Sequence, residues 1–199
     1  MGRIGLALES WSGIGAWVRA ECLDALFLHR PWHLDERELP PDFGILTYHR
    51  AFDLTLTLGL NPLLADTLHM TSVVPFAFKD SLVLGMLGNI LSTPLDTFIA
   101  LLAETFAVPP EIPAIYTETV NRLAVVGAMN DALIREAAAQ DVQLYITGQF
   151  RQSARRAVSE TRMTVAIIGH TPSELWGLRA LATLLRQRGL TALIAPACL

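Results

Sequence analysis

Short apolar runs separated by polar or glycine-containing segments recur along the chain, a pattern typical of buried strands that alternate with helices. The order is most regular in the second half, where strands and helices follow one another in turn. This alternation favours an α/β fold with a mostly parallel sheet covered by helices. The predicted strands are residues 4–8, 23–28, 44–48, 73–78, 122–126, 142–146 and 164–168, and the predicted helices are residues 14–21, 50–59, 62–68, 95–106, 131–140, 150–160 and 172–187.

A proline-rich stretch, residues 108–115, lies between the two halves of this pattern. Its three prolines favour an extended linker over a helix or a strand. The chain has 199 residues, enough for one large domain or two small ones. We therefore predict two α/β parts, residues 1–107 and residues 108–199.

Two segments have the Thr-x-x-acid pattern of a helical capping box, in which side chains at both ends hydrogen-bond the backbone of the first turn. They begin at Thr93 and Thr171, each followed by a proline that suits the start of a helix. Gly85 and Gly88 interrupt the apolar segment before the first of these boxes. They predict a close backbone approach or a turn there instead of a regular helix.

Composition narrows the class of protein. Hydrophobic residues make up 52% of the chain and charged residues 17%, so a large core or a subunit interface must absorb the apolar excess. We favour a homo-oligomer on this ground. The best candidate for a membrane span, residues 80–96, is interrupted by polar residues and Pro94. It falls short of the roughly 18–20 apolar residues that a span requires, so no membrane association is expected.

Charge and cysteine content exclude further classes. The formal net charge of −4 provides no basic surface for a phosphate backbone, so nucleic acid is not an expected partner. Cys22 and Cys198 are too few and too far apart for a disulfide framework or a zinc knuckle, which fits a cytoplasmic protein. The chain also has no G-x-S-x-G elbow, P-loop or G-x-G-x-x-G sequence.

Three of the five histidines directly follow apolar runs: His29, His49 and His170. Side chains at the ends of neighbouring strands can converge at one edge of a sheet. Asp53 and Glu174 each follow a histidine by four residues, which places both side chains of a pair on one face of a helix. Imidazole and carboxylate groups together are the ligands of Zn²⁺, Mn²⁺, Fe²⁺ or Ni²⁺. The pattern therefore predicts a metal site.

Each of these residues also has a purely structural interpretation. A single histidine is more often an ordinary hydrogen-bonded residue than a ligand, and His–acid pairs four residues apart are common on helices. Glu174 also completes the capping box that begins at Thr171. The segment Thr147-Gly148-Gln149 is a strand-to-helix turn whose N–H groups could hold an anion, or a plain tight turn.

Six segments occur along the chain in the order LFLHRPW, YHRAFD, LGLNPLLADTL, LGMLGNILSTPLDTFIALLAETF, YITGQF and GHTPSE. The first two resemble the His-His-Pro strand end and the His-Thr-Asn-Leu-Asp motif of the NGG1p-interacting-factor-three family. Members of this family are also called GTP cyclohydrolase 1 type 2 homologues or dinuclear-metal-centre proteins. The last two segments resemble the family's Thr-Gly-Glu or Thr-Gly-Asp strand end and its Gly-His-x-x-Ser-Glu motif. The ordered set covers nearly the whole chain.

The resemblance implies two related α/β parts with a pair of metal ions in the cleft between them, often assembled into a toroidal hexamer. It implies that His29, Asp53 and His170 are metal ligands and that Glu174 is a ligand in the bridging position. His49 corresponds to a motif histidine beside the metals, which makes it the candidate for proton transfer.

The chain departs from the family pattern at positions that bear on the metals. Arg30 replaces the second histidine of His-His-Pro, and a permanently charged arginine cannot be a ligand. Gln149 replaces the acidic residue after Thr-Gly, and Ser153 stands where a histidine is usual, with Arg151 nearby. The family's usual segment before the first strand is missing as well. We therefore expect one divalent ion, whereas the second site is in question.

Two functions are consistent with these residues. The first is a metal-dependent hydrolase acting on a nucleotide or a related small molecule, phosphorylated or not, because a bound divalent ion activates water. Arg30, Thr147, Gly148 and Gln149 are the candidate ligand-binding residues, with Arg30 either replacing a metal's charge or binding a phosphate or carboxylate. The second is a non-catalytic metal-binding or scaffold oligomer whose active site is lost or altered.

Overall fold

A computed structural model describes residues 2–198. It contains nine strands and seven α-helices within that range, and no helix among these residues has the length and apolar character needed to cross a membrane. The strands are β1 (Arg3–Glu9), β2 (Ala25–Arg30), β3 (Gly44–Leu46), β4 (Thr71–Lys79), β5 (Leu82–Pro94), β6 (Thr119–Val126), β7 (Leu144–Thr147), β8 (Thr164–Ile167) and β9 (Thr191–Ile194). The helices are α1 (Ile14–Ala20), α2 (His49–Leu56), α3 (Pro62–Thr67), α4 (Leu95–Phe106), α5 (Asp131–Ala138), α6 (Arg155–Thr161) and α7 (His170–Gln187).

Contacts divide the chain into two units, and the first of them is discontinuous. It contains the residues up to Phe52 and those from Gly177 onwards, while the second unit is the segment Asp53–Trp176. This division differs from the predicted halves, 1–107 and 108–199, for two physical reasons. Strand β9 returns to pair with β1, and β5 pairs with β6 across the predicted linker.

The first unit has a parallel sheet of four strands in the order β3-β2-β1-β9. The sequence predicted β1, β2 and β3 but not β9 (Thr191–Ile194), which follows the last predicted helix and pairs with β1 from the other end of the chain. Parallel strands are commonly buried on both faces, which explains why β1 and β2 read as continuous apolar runs. Leu26 and Leu28 of β2 pack with Ile14 of α1 in one buried cluster.

The second unit has a mixed sheet of five strands in the order β4-β5-β6-β7-β8. Strands β4, β5 and β6 pair antiparallel, whereas β6, β7 and β8 pair parallel and are linked by helices, as the alternation predicted. Tyr145 of β7 lies in the core, where its hydroxyl donates a hydrogen bond of 2.6 Å to the Ala128 carbonyl. Burial raises the pKa of the Tyr145 phenol above its usual range.

Both predicted capping boxes are wrong in detail. Helix α4 has the predicted bounds, but its N-cap is Pro94, and the Thr93 hydroxyl donates to the Leu91 carbonyl instead. Helix α7 begins at His170, two residues before the predicted start, so Thr171 lies inside the first turn. The predicted helix 150–160 is shorter too, because only Arg155–Thr161 is α-helical, after a 3₁₀ turn.

Gly85 lies where β5 approaches its neighbour β6 closely. A Cβ atom placed on Gly85 would lie 2.5 Å from the Val125 carbonyl oxygen and 2.9 Å from the Val126 Cα. Both are backbone atoms that cannot move without disturbing the sheet. The predicted close approach is therefore confirmed, and it occurs inside a regular strand and not at a turn.

We predict that Gly85→Ala lowers the free energy of unfolding by about 1–3 kcal/mol, the usual cost of forcing an extra methyl group into a packed interior. Urea denaturation of the purified chain measures this change. Gly44→Ala is the matched control, because a Cβ there would lie 3.5 Å from the Ala25 Cβ, an ordinary contact. Equal stabilities for the two variants would contradict the predicted crowding.

Candidate functional site

Helix α2 begins at His49, so His49 and Asp53 are separated by one helical turn. The sequence predicted His49 as the end of a strand, but β3 ends at Leu46 and the histidine opens the helix instead. His29 lies inside β2 and is fully buried. Its ring centroid is 4.5 Å from that of His49, with the two rings edge to face, and 4.7 Å from that of Phe52.

His29, His49 and Asp53 each offer a ligand atom, and these atoms all lie within 4.8 Å of one another. Nitrogen and oxygen ligands lie about 2.0–2.2 Å from a zinc ion and hence within about 4.4 Å of one another. The three side chains therefore fit a divalent metal with only small adjustments.

A cavity of about 120 Å³ in the second unit has Asp53, His170 and Glu174 on its wall. His170 begins α7 and Glu174 follows it by four residues, and the Nε2 atom of His170 lies 2.9 Å from Oε1 of Glu174. The His170 side chain is 68% exposed, whereas Glu174 is 1% exposed. A buried carboxylate in this position fixes the orientation of the imidazole, an arrangement that proteins use for proton transfer.

Gly169 makes this position of His170 possible. Its φ of +94° lies in the left-handed region, which glycine adopts without steric cost. The chain turns there from the end of β8 directly into α7. The sequence predicted His170 as the residue after a strand and a helix from Pro172, whereas only Ile168 and Gly169 separate β8 from α7.

The turn after β7 lines a second, larger cavity of about 640 Å³ in the same unit. Gly148 and Gln149, two of the predicted ligand-binding residues, lie on its wall, while Thr147 is buried at the end of β7. Arg151 lines this cavity too, although no role was predicted for it. The remaining lining residues are Gly127, Ala128, Met129 and His170.

Arg30, the other predicted ligand-binding residue, is the last residue of β2. Its Nη1 atom donates to Oε1 of Glu9 at 2.8 Å, since Glu9 and Arg30 are register partners in the parallel pair of β1 and β2. Glu9 therefore neutralises part of the positive charge of Arg30, which was predicted either to replace the charge of a metal or to bind a phosphate or carboxylate. A ligand-binding role for Arg30 stays a prediction.

Five of the predicted site residues fall into two groups that share Asp53. His29, His49 and Asp53 form the group of possible metal ligands among residues 2–198. Asp53, His170 and Glu174 line the smaller cavity. The proton-transfer role predicted for His49 is thus joined by a second possible role, as a ligand.

Two relatives with similar sequences share the same name. A GTP cyclohydrolase 1 type 2 homolog of Chlamydia pneumoniae is 29% identical over 144 residues, which cover 72% of this chain and 57% of that protein. Another, from Pyrococcus abyssi, is 26% identical over 158 residues, covering 75% and 60%. The chain therefore spans less than two thirds of the length of these curated relatives.

Solved structures with a similar fold cover nearly all of the chain. The ybgI protein, described as of unknown function, has a TM-score of 0.75 at 20% identity and covers 98% of this chain and 85% of its own. Reduced HcgD from Methanocaldococcus jannaschii has a TM-score of 0.73 at 20% identity, with 98% and 84% covered. At this identity the likeness shows the α/β fold alone.

The family itself is identified from sequence. Residues 39–195 match the family described as Duf34/NIF3 (NGG1p interacting factor 3). This segment contains His49, Asp53, His170 and Glu174, whereas His29 lies before it. The resemblance read from the six ordered motifs is confirmed, and the chain belongs to the Duf34/NIF3 family.

Proposed function

We propose that this chain binds a divalent metal ion through Asp53 and uses it in hydrolysis of a nucleotide or a related small molecule. The observation that carries the proposal is the group of His29, His49 and Asp53, whose ligand atoms lie within 4.8 Å of one another. Two imidazoles and a carboxylate suit Zn²⁺, Mn²⁺, Fe²⁺ or Ni²⁺. The name shared by the relatives, GTP cyclohydrolase 1 type 2 homolog, supports a nucleotide-like ligand.

Glu174 and His170 are the further candidate ligands. They line the cavity to which Asp53 also contributes, and family resemblance implies both as ligands, with Glu174 in a bridging position. A carboxylate that is 1% exposed is costly to bury unless a positive charge or a hydrogen bond compensates it. A bound cation would supply such compensation in addition to His170.

In the proposed hydrolysis, the metal ion would activate water and side chains of the protein would transfer protons. A bound divalent ion lowers the pKa of a coordinated water and so provides a nucleophile near neutral pH. His49 and His170 are the groups able to accept or donate a proton at the site. Glu174 orients His170 through the contact between Oε1 and Nε2.

We propose one ion per chain in place of a pair. Arg30 stands where the family motif has a second histidine, and it is engaged with Glu9. A guanidinium cannot coordinate a metal, so the second ion lacks one of its ligands.

Asp53→Asn should weaken metal binding by more than the roughly 10–100-fold that is typical of changes outside the ligand shell, because it removes a ligand charge from both groups. Isothermal titration of the metal-free chain with Mn²⁺ or Zn²⁺ measures the affinity. Asp66→Asn is the matched control, an exposed aspartate on α3. If the two variants bind metal equally well, Asp53 is not a ligand.

Glu174→Gln should reduce metal content from about one ion per chain to well below one, since the amide lacks the negative charge that a carboxylate ligand supplies. Elemental analysis of the purified variant gives the stoichiometry. Full metal content together with lost turnover would instead assign Glu174 to positioning His170 alone.

Turnover is tested separately with metal-loaded chain on a panel of nucleotides and phosphoesters. Hydrolysis that disappears after chelation and in Asp53→Asn supports the enzyme. Metal binding without any turnover would favour the second function, a non-catalytic metal-binding or scaffold oligomer.

We also propose that the chain forms a homo-oligomer, a hexamer by family resemblance. Large apolar side chains on β4 and β5 are exposed, including Phe78 at 64% and Leu91 at 89%. Burial of such side chains in a symmetric interface would remove them from water. Light scattering should give a mass that is a multiple of the 21.8 kDa chain, and a mass of one chain would contradict the proposal.

A further inference from the structure

The larger cavity of the second unit differs in charge from the smaller one. Two carboxylates, Asp53 and Glu174, lie on the wall of the smaller cavity. The larger cavity of about 640 Å³ has no acidic side chain on its wall, and it has the guanidinium of Arg151 and the amide of Gln149. A volume of this size suits a small organic ligand more than a lone ion.

Arg151 is available to a ligand. It is exposed, and it forms no ion pair or side-chain hydrogen bond with any other of the residues 2–198 that the structure describes. Other arginines of the same unit are engaged, for example Arg135 with Asp131 and Glu160. Arg151 has no such acid beside it to neutralise its charge.

The backbone around Arg151 is fixed to the wall of the cavity. The Arg151 N–H donates to Sδ of Met129 at 3.5 Å, and Met129 itself lines the cavity. Ala128, the neighbouring wall residue, accepts a hydrogen bond from the buried hydroxyl of Tyr145 at 2.6 Å. The base of the Arg151 side chain is therefore held by the core, which limits the positions that its guanidinium can take.

The two cavities share wall residues. Gly127, Ala128, Gly148 and His170 line both of them. A ligand that occupies the larger cavity therefore contacts residues that also line the smaller cavity, to which Asp53 and Glu174 contribute. Among the residues 2–198 that the structure describes, His170 is the titratable side chain common to the two walls.

Charge decides which end of a ligand lies where. An anionic group is repelled by the carboxylates of Asp53 and Glu174 and attracted by Arg151. A guanidinium binds a phosphate or a carboxylate through paired N–H groups, and the amide of Gln149 can donate a further hydrogen bond. An acidic residue at position 149, as the family motif has, would oppose such a ligand.

We infer that Arg151 and Gln149 form an anion-binding subsite. It takes the phosphate or carboxylate group of a small molecule whose reacting part lies beside His170 and Glu174. The inference rests on the proposed function for the reaction and names the ligand class for it: a small anionic molecule with its charged group remote from the reacting end. The anion subsite itself is independent of bound metal.

The test is calorimetric titration of the metal-free full chain with inorganic phosphate and, in a second arm, with acetate. Arg151→Gln should weaken binding of the preferred anion by about tenfold or more, the effect of losing a charge-assisted hydrogen bond. Arg155→Gln is the matched control, since it removes the same charge from an exposed arginine of α6 that lines neither cavity. Its affinity should stay within about twofold of the original, because an exposed charge acts weakly at a distance.

Gln149→Glu provides a second variant that keeps Arg151 in place. We expect it to weaken anion binding because it adds a negative charge to the wall, and circular dichroism checks that the variant is folded. Equal anion affinity in the original chain and Arg151→Gln, or no binding of either anion, would overturn the subsite. Anion binding that needs added Mn²⁺ and ignores Arg151 would overturn it too, while leaving the proposed metal centre intact. Loss of metal binding with Arg151-dependent anion binding preserved would instead overturn the metal centre alone.

Discussion

An imidazole and a carboxylate one helical turn apart occur at the start of two helices, and the candidate site depends on this spacing. His49 begins α2 and His170 begins α7, and Asp53 and Glu174 each follow their histidine by four residues. The separation of four residues brings two side chains together without help from any other part of the fold. Each helix therefore carries a histidine and a carboxylate that lie side by side, and the rest of the fold determines only the position of the helix.

The two pairs differ in their surroundings. Glu174 is almost fully buried beside an exposed His170, whereas Asp53 is partly exposed and belongs both to the possible metal ligands and to the wall of the smaller cavity. A buried carboxylate near the start of a helix, next to a cavity, adds little to a hydrophobic core. Residues that break the usual rules of burial in this way are most often found at functional sites.

Much of this fold is predictable from the local sequence pattern. Strands that are buried on both faces give continuous apolar runs, and amphipathic helices give apolar residues at helical spacing. The bounds of α4 follow from sequence, and most other elements fall within a few residues of their predicted limits. Strands β5 and β9 were not predicted, because Gly85 and Gly88 interrupt the apolar pattern of β5 and because β9 is defined by pairing with β1 at the other end of the chain. The contact units differ from the predicted parts 1–107 and 108–199 for a similar reason: pairing of β5 with β6 is a long-range contact that prolines in the connection do not prevent.

The ordered motifs named His29, Asp53, His170 and Glu174 as candidate ligands, and this assignment stays a prediction. Their arrangement needed the fold, because His29 comes from a strand and the others from two helices. A role for Arg151 could not be predicted from the sequence, because it depends on a cavity whose wall is formed by residues far apart in the chain. The predicted start of α7 at Pro172 is two residues late, because proline favours the first position of a helix. The left-handed conformation of Gly169, after which the helix begins, is seen only in the structure.

The pairing of β9 with β1 has a consequence for biosynthesis. On the ribosome, β1 emerges before β9, and the edge of β1 that β9 will occupy keeps its backbone N–H and carbonyl groups open until Thr191–Ile194 has emerged. The second unit, a single continuous segment, has emerged in full by then. The nascent chain thus carries an open sheet edge while the whole second unit emerges, and such an edge favours aggregation.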